Sequence, residues 1–242
     1  MPIADHHEKH LTKRPTLLLC GSAACVVVAL TCVWGANQEQ NAAQLTQPGT
    51  ETIAVSDDGR KIAPAPSETF RNHHCSDATN DQKPEDLGPS SLIIPSERIS
   101  TTIAPNANLS YLPEAPDGIL YSKSQPLGAA HGNTVTAGHV DYGPGGLSDR
   151  GGELSPWGSL HAVSPCDDVY ATDAQGRAHH YRITDKFTVP QKKLDASGIF
   201  STTGDAYLVM VTCSGESVDE AGGPMQFHYN HNLVVMAQEV TA

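Results

Sequence analysis

Two residues have the type and the place in the chain to do covalent chemistry: Cys213 and His139. Cys213 follows the apolar run Ala206-Tyr207-Leu208-Val209-Met210-Val211-Thr212 and precedes Ser214-Gly215. His139 closes a similar run, Asn133-Thr134-Val135-Thr136-Ala137-Gly138. Strand ends and the loops after them are where a rigid scaffold presents side chains to a ligand. A thiol at its ordinary pKa is mostly un-ionised at neutral pH, so attack on a peptide carbonyl needs a general base or a nearby imidazolium. A thiol and an imidazole at the ends of two adjacent strands would supply that pair. Twelve histidines make His139 alone weak evidence. Spacing also leaves two other roles open for Cys213: a disulfide with Cys166, or an inert buried thiol.

The elements that must position such a pair read as short strands. Ser91-Leu92-Ile93-Ile94-Pro95, Gly118-Ile119-Leu120-Tyr121 and Asn133–Ala137 are apolar runs bounded by turn residues. Asp168–Thr172 and His180–Thr184 flank Asp173-Ala174-Gln175-Gly176, a hairpin signal. Ala206–Thr212 is apolar at successive positions, which predicts a strand covered on both faces, and Asn232–Ala237 closes the chain in the same way. No helical pattern recurs between these runs, so a parallel α/β sheet is disfavoured and an all-β sandwich or barrel over residues 91–242 is expected.

Composition limits what this domain can bind. The net charge is −12, with 15 Lys and Arg against 27 Asp and Glu. A polyphosphate partner needs a basic surface, so nucleic-acid binding is excluded as a main function. Leu17 to Trp34 carries no charge and, as a helix, would span about 27 Å, close to the hydrocarbon thickness of a bilayer. Lys9, Lys13 and Arg14 precede it, and Gly35–Thr50 contains neither Lys nor Arg, so residues 1–16 are expected in the cytoplasm and everything after residue 34 outside. Residues 35–90, rich in Gln, Asn, Thr, Ser and Pro, are expected to be a disordered tether. Cys75, Cys166 and Cys213 lie beyond the apolar run, and an odd number in an oxidising compartment leaves at least one thiol unpaired in a monomer. Cys75 with Cys166 is a permissible pair that spacing alone does not establish. No carboxylate or His/Cys set has persuasive metal-ligand spacing, so neither metal nor cofactor is expected.

The residues around the thiol and the imidazole resemble a known family. Thr136-Ala137-Gly138-His139-Val140-Asp141, with Leu208-Val209-Met210-Val211-Thr212-Cys213-Ser214-Gly215 74 residues further on, resembles the sortases, particularly their actinobacterial class E and F branches. The resemblance covers residues 88–242 and extends to the layout of anchor, tether and exterior domain. It implies an eight-stranded sortase β-barrel and cysteine transpeptidation. Cys213 would cleave the Thr–Gly bond of an LPxTG-like sorting signal and hold the acyl group as a thioester. An amine of a cell-wall precursor or a pilin would then resolve it. His139 would act as general acid for the leaving amine and base for the incoming one, and Val211 and Thr212 would line the acyl site. The resemblance assigns Asp141 no role.

The chain departs from the family at one place. Sortases carry an arginine on the last strand, in class F within a His-Tyr-Arg-Asp-Asn-like stretch, where it is held to bind substrate and stabilise the oxyanion. Here the stretch is His228-Tyr229-Asn230-His231-Asn232, so Asn230 stands in for the arginine. An Asn amide can donate to an oxyanion, and a protonated His231 would restore part of the charge. The missing arginine supports an alternative, a catalytically weak or inactive sortase-fold surface protein that binds peptides. A thiol hydrolase releasing its acyl group to water is a third reading.

Overall fold

Runs of β-branched and small residues leave this chain with strands that must find partners, and in the computed structural model they pair into a closed ring. The structure describes residues 53–76, 84, 87–143 and 153–240. The expected membrane segment 17–34 lies outside the described residues, among which no helix is long and apolar enough to cross a membrane.

Ten strands follow in chain order: β1 (Ala54–Val55), β2 (Lys61–Ile62), β3 (Ser91–Ile94), β4 (Ile99–Asn106), β5 (Gly118–Tyr121), β6 (Asn133–Gly138), β7 (Asp168–Thr172), β8 (Ala178–Pro190), β9 (Tyr207–Gly222) and β10 (Phe227–Glu239). The remaining regular elements are short 3₁₀ turns, so the described residues are all-β. Eight strands run in the order β9-β10-β8-β7-β3-β4-β5-β6, and pairing of β6 with β9 closes the barrel. Closure removes the exposed edges that an open sheet would leave. Two of the ring's pairings, β4–β5 and β6–β9, are parallel.

The expected strands appear at their places, with β8, β9 and β10 longer than the apolar runs suggested. Strand β4 was not anticipated. Its Ile99-Ser100-Thr101-Thr102-Ile103 alternates buried and exposed as a half-buried strand should, but the Ser and Thr between the two isoleucines read as loop. The hairpin between β7 and β8 turns at Gly176, whose φ of +77° is the left-handed conformation that glycine adopts without cost.

Strand β9 is covered on both faces, as its composition requires. Leu208 and Met210 pack with Leu92, Ile94, Ile99, Ile103, Ile183, Leu233 and Val235. Val209, Val211 and Cys213 share the other cluster with Val135, Ala137, Leu194, Ile199 and Val234. Each fully buried Leu, Ile or Val contributes about 1.5–3 kcal/mol relative to exposure, so the nucleophile candidate sits in one of the most firmly held parts of the chain.

The tether expected over residues 35–90 needs correction for its described part. Residues 53–76 form a strap laid against the barrel. Ile62 pairs with Glu216 of β9, the Ala63 N–H donates to the Gly215 carbonyl at 2.9 Å, and Phe70 bridges to Lys186 of β8. Ile53 and Ala63 are each only 4% exposed. Apolar residues are too sparse here to show a period, yet β9 and β8 supply backbone partners that a reading of the strap alone does not reveal. A disulfide between Cys75 and Cys166, with Cα atoms 5.5 Å apart, fastens the far end. In the chain-entropy picture, closing a loop of this length stabilises the fold by about 4.6 kcal/mol. The pairing removes the Cys166–Cys213 bridge from the open alternatives and leaves Cys213 free.

Candidate active site

The register between β6 and β9 is what brings the thiol and the imidazole together. Their partners run from Asn133 with Tyr207 to Ala137 with Val211, every pair 74 residues apart, which is also the spacing between His139 and Cys213. Extending the parallel ladder by two positions therefore sets His139 level with Cys213. Side chains alternate along a strand, so His139 shares the face of Val135 and Ala137, and Cys213 that of Val209 and Val211. These four aliphatic residues belong to the same cluster. The Thr212 hydroxyl donates to the Gly138 carbonyl at 2.9 Å and ties the two strand ends together.

The approach to His139 is shaped by Trp157, a fully buried side chain. A Cβ on Gly138 would lie 2.2 Å from the Trp157 indole nitrogen, so only glycine fits before the histidine. That nitrogen donates to the Pro116 carbonyl at 3.2 Å, and the Ser155 hydroxyl donates to the His139 carbonyl. Backbone and indole together fix where the imidazole starts.

Cys213 and His139 open onto one pocket, with a cavity volume of about 60 Å³. Asp141, His228 and Tyr229 complete its titratable lining, and Leu112, Val140, Met225 and Phe227 make much of the rest apolar. Cys213 is 3% exposed. Burial, and after it the Asp141 carboxylate, push its thiol well above the ordinary range, against a hydrogen bond from the Val140 backbone. Burial pulls the His139 imidazole below its ordinary value. Asp141 and a hydrogen bond to the Leu112 backbone oppose that shift, and His228 adds to it. The pair therefore rests as neutral thiol and neutral imidazole.

Asp141 had no role in the sequence, and the structure puts it at the floor of this pocket. It is fully buried. Its Oδ2 accepts from Lys61 Nζ at 2.8 Å and from the Tyr229 hydroxyl at 3.4 Å, while Oδ1 has no hydrogen-bond partner among the described residues. The sign that could have flagged it is its place two residues after His139, on the same face of an extended chain. Among the described residues no cluster of His, Cys, Asp and Glu could hold a metal ion.

The other residues expected at the site are placed differently. Val211 and Thr212 are fully buried and do not line the pocket; one packs in the core and the other makes the strand tie. The Asn230 carboxamide is turned toward the bend after the nucleophile, where its Oδ1 accepts from the Glu216 N–H at 3.1 Å and lies 2.8 Å from His231 Nδ1. Neither Asn230 nor His231 lines the pocket. Gly215, at φ +77°, leaves room for that carboxamide: a Cβ there would lie 2.2 Å from Asn230 Oδ1.

The residue opposite the nucleophile is Asn232. It pairs in register with Cys213 across β9 and β10, and irregularities on either side of Tyr229 shift which side chains face that way. Directly opposed residues of an antiparallel pair project from the same face. Asn232 is fully buried and, like Asn230, does not line the pocket, but neither its Nδ2 nor its Oδ1 has a hydrogen-bond partner among the described residues. Buried amides without partners are uncommon and call for an explanation such as a ligand or a catalytic role.

The chain is similar to several solved structures and matches one family model. Among solved structures, sortase C-1 from Actinomyces oris is 21% identical, with 65% of this chain and 77% of that one covered at a TM-score of 0.46. Sortase A from Listeria monocytogenes is 18% identical, with 64% and 89% covered at a TM-score of 0.44. Sortase A from Corynebacterium diphtheriae is 21% identical, with 63% and 60% covered at a TM-score of 0.43. No curated protein matches the chain significantly. Residues 92–240, which hold the whole barrel from Leu92 onward together with both candidate catalytic residues, match the family described as Sortase domain, and the chain belongs to the sortase family.

Proposed function

We propose that this chain is a membrane-anchored cysteine transpeptidase, closest to the class E and F sortases, and that it acts on LPxTG-like sorting signals outside the cell. The observation that carries the proposal is the shared pocket of Cys213 and His139, held level by the β6–β9 register. His139 takes the thiol proton as the Cys213 sulfur attacks the carbonyl carbon of the Thr–Gly bond, and it gives that proton to the leaving amine nitrogen. The product is a thioester on Cys213. An incoming amine, from a cell-wall precursor or a pilin, attacks this carbonyl and passes a proton to His139, which returns it to the departing sulfur. Residues 17–34 are the anchor of this reading, with residues 1–16 cytoplasmic. Incubating the full chain with an LPxTG-type peptide and an amine acceptor tests it: a transpeptide is expected, free acid alone would indicate a hydrolase, and binding without cleavage would overturn the enzyme.

Because neutral thiol and neutral imidazole form the working pair, kcat/KM is expected to fall off on protonation of His139, below pH 6.5, and on ionisation of Cys213, above pH 9.0. A broad plateau between those limits is the expected profile. A narrow optimum with an acid limb well above pH 6.5 would instead indicate a pre-formed ion pair.

In the same reading the Asn232 amide donates to the oxyanion that forms beside Cys213. Loss of a neutral amide oxyanion donor costs about 10²–10³ in rate. Asn232→Ala is therefore expected to lower kcat by roughly 10²-fold with little change in KM, measured in the transfer assay. A specific observation also favours the binding-protein alternative: no arginine lines the pocket among the described residues. An inactive wild-type chain that still binds the peptide would decide for it.

A further inference from the structure

The strap does more than cover the barrel. It precedes the matched residues 92–240 in sequence and yet delivers a cation to a carboxylate that lines the pocket. Lys61 is held there from both ends. Its backbone N–H donates to Ser217 Oγ at 2.9 Å, the next residue pairs with Glu216, and its ammonium reaches Asp141 Oδ2 at 2.8 Å and the Gly143 carbonyl. The attachment points on β9 are residues 215–217, close behind Cys213.

We propose that Lys61 is a positioning residue of the active site: it compensates the buried Asp141 carboxylate that shares the pocket with Cys213 and His139, and so sets the charge against which they exchange a proton. The proposal rests on the Cys213–His139 reading above. Among the described residues the groups facing this site are these. Asp141, His139, His228 and Tyr229 line the pocket with the thiol. Lys61 enters from β2, and the exposed Glu216 and the Asp58–Arg60 pair stay on the outer side of the strap. Among the described residues Lys61 is the cation paired with Asp141, and the Tyr229 hydroxyl lies 3.4 Å from the same carboxylate. Without the ammonium, a full negative charge faces the thiol and disfavours the thiolate. An opposite charge within hydrogen-bonding reach shifts a neighbouring group's titration by about 1–3 units.

The test is the pH dependence of Cys213 alkylation by iodoacetamide in the full chain, read on the Cys213-containing peptide by mass spectrometry, alongside acyl transfer. Lys61→Met is expected to move the alkylation midpoint upward by about one unit, roughly tenfold less thiolate at a given pH. Lys61→Arg, which keeps the charge, is expected to restore the wild-type curve. Added to Asp141→Asn, Lys61→Met is expected to produce no further shift, because Lys61 then has no carboxylate to act through. That comparison also serves if Lys61→Met alone does not fold, since the double variant leaves no charge buried. Coincident curves for wild type and Lys61→Met, or separate curves for Asp141→Asn and the double variant, would overturn the proposal while leaving an active Cys213–His139 pair intact. A wild-type chain that transfers no acyl group through Cys213 would overturn both.

Discussion

Replacing Cys213 by alanine is expected to abolish acyl transfer, with kcat falling to the uncatalysed background. Loss of the nucleophile removes the bond that stores the acyl group, and removal of one member of a catalytic unit costs on the order of 10⁶ in kcat where it has been measured. The fold should survive. Cys213 is the free cysteine among the described residues, and the stabilising disulfide joins Cys75 to Cys166. The side chain shrinks by one sulfur inside a cluster also held by Val209, Val211 and Val234. Thermal unfolding of the variant should therefore stay within a few degrees of wild type while transpeptide formation disappears. Retained transfer in Cys213→Ala would place the nucleophile elsewhere.

His139→Gln carries the second largest effect. General acid–base catalysis contributes about 10²–10⁴ in rate, and here one imidazole serves both half-reactions. The neutral resting state makes the dependence severe. The thiol is held well above its ordinary range by burial and by Asp141, so without a base little thiolate forms at neutral pH. A drop in kcat of about 10³–10⁴ is expected at pH 7, easing as the pH rises and the thiol ionises unaided. That partial recovery is the distinguishing sign, because a merely misfolded variant would not regain activity with pH. The hydrogen bond from His139 to the Leu112 backbone uses one ring nitrogen and leaves the other to take the thiol proton. A variant of Leu112 that keeps the backbone is expected to matter less.

Much of this site could be read before any coordinates. The two strand ends were visible because a buried strand needs an unbroken apolar run, and both runs stop at a residue with chemistry. Their shared spacing of 74 residues turned out to be the parallel register itself. What the sequence did not yield has a common physical character. The resemblance puts Asn230 in the place of the family's arginine, and a motif match carries no information on the irregularities of β10 on either side of Tyr229. The structure turns Asn230 to the Gly215 bend and sets Asn232 against Cys213. The resemblance also implies that Val211 and Thr212 line the acyl site, but Val211 packs in the core beside Cys213 and Thr212 ties β9 to β6. Lys61 was out of reach altogether. It lies in a stretch without apolar period, and only pairing with β9, more than 150 residues away in sequence, gives it a place. Strand β4 escaped because Ser and Thr at its exposed positions mimic a loop.

The sulfur of Cys213 is where the functional reading can be tested in a single step. Intact mass spectrometry of the full chain, quenched during turnover of an LPxTG-type peptide with no amine added, should show one adduct equal to the peptide's mass up to its threonine, less one water. Hydroxylamine should remove it, as it does a thioester, and Cys213→Ala should show none. An adduct that persists in Cys213→Ala, or a wild-type chain that binds the peptide and never gains mass, would contradict it.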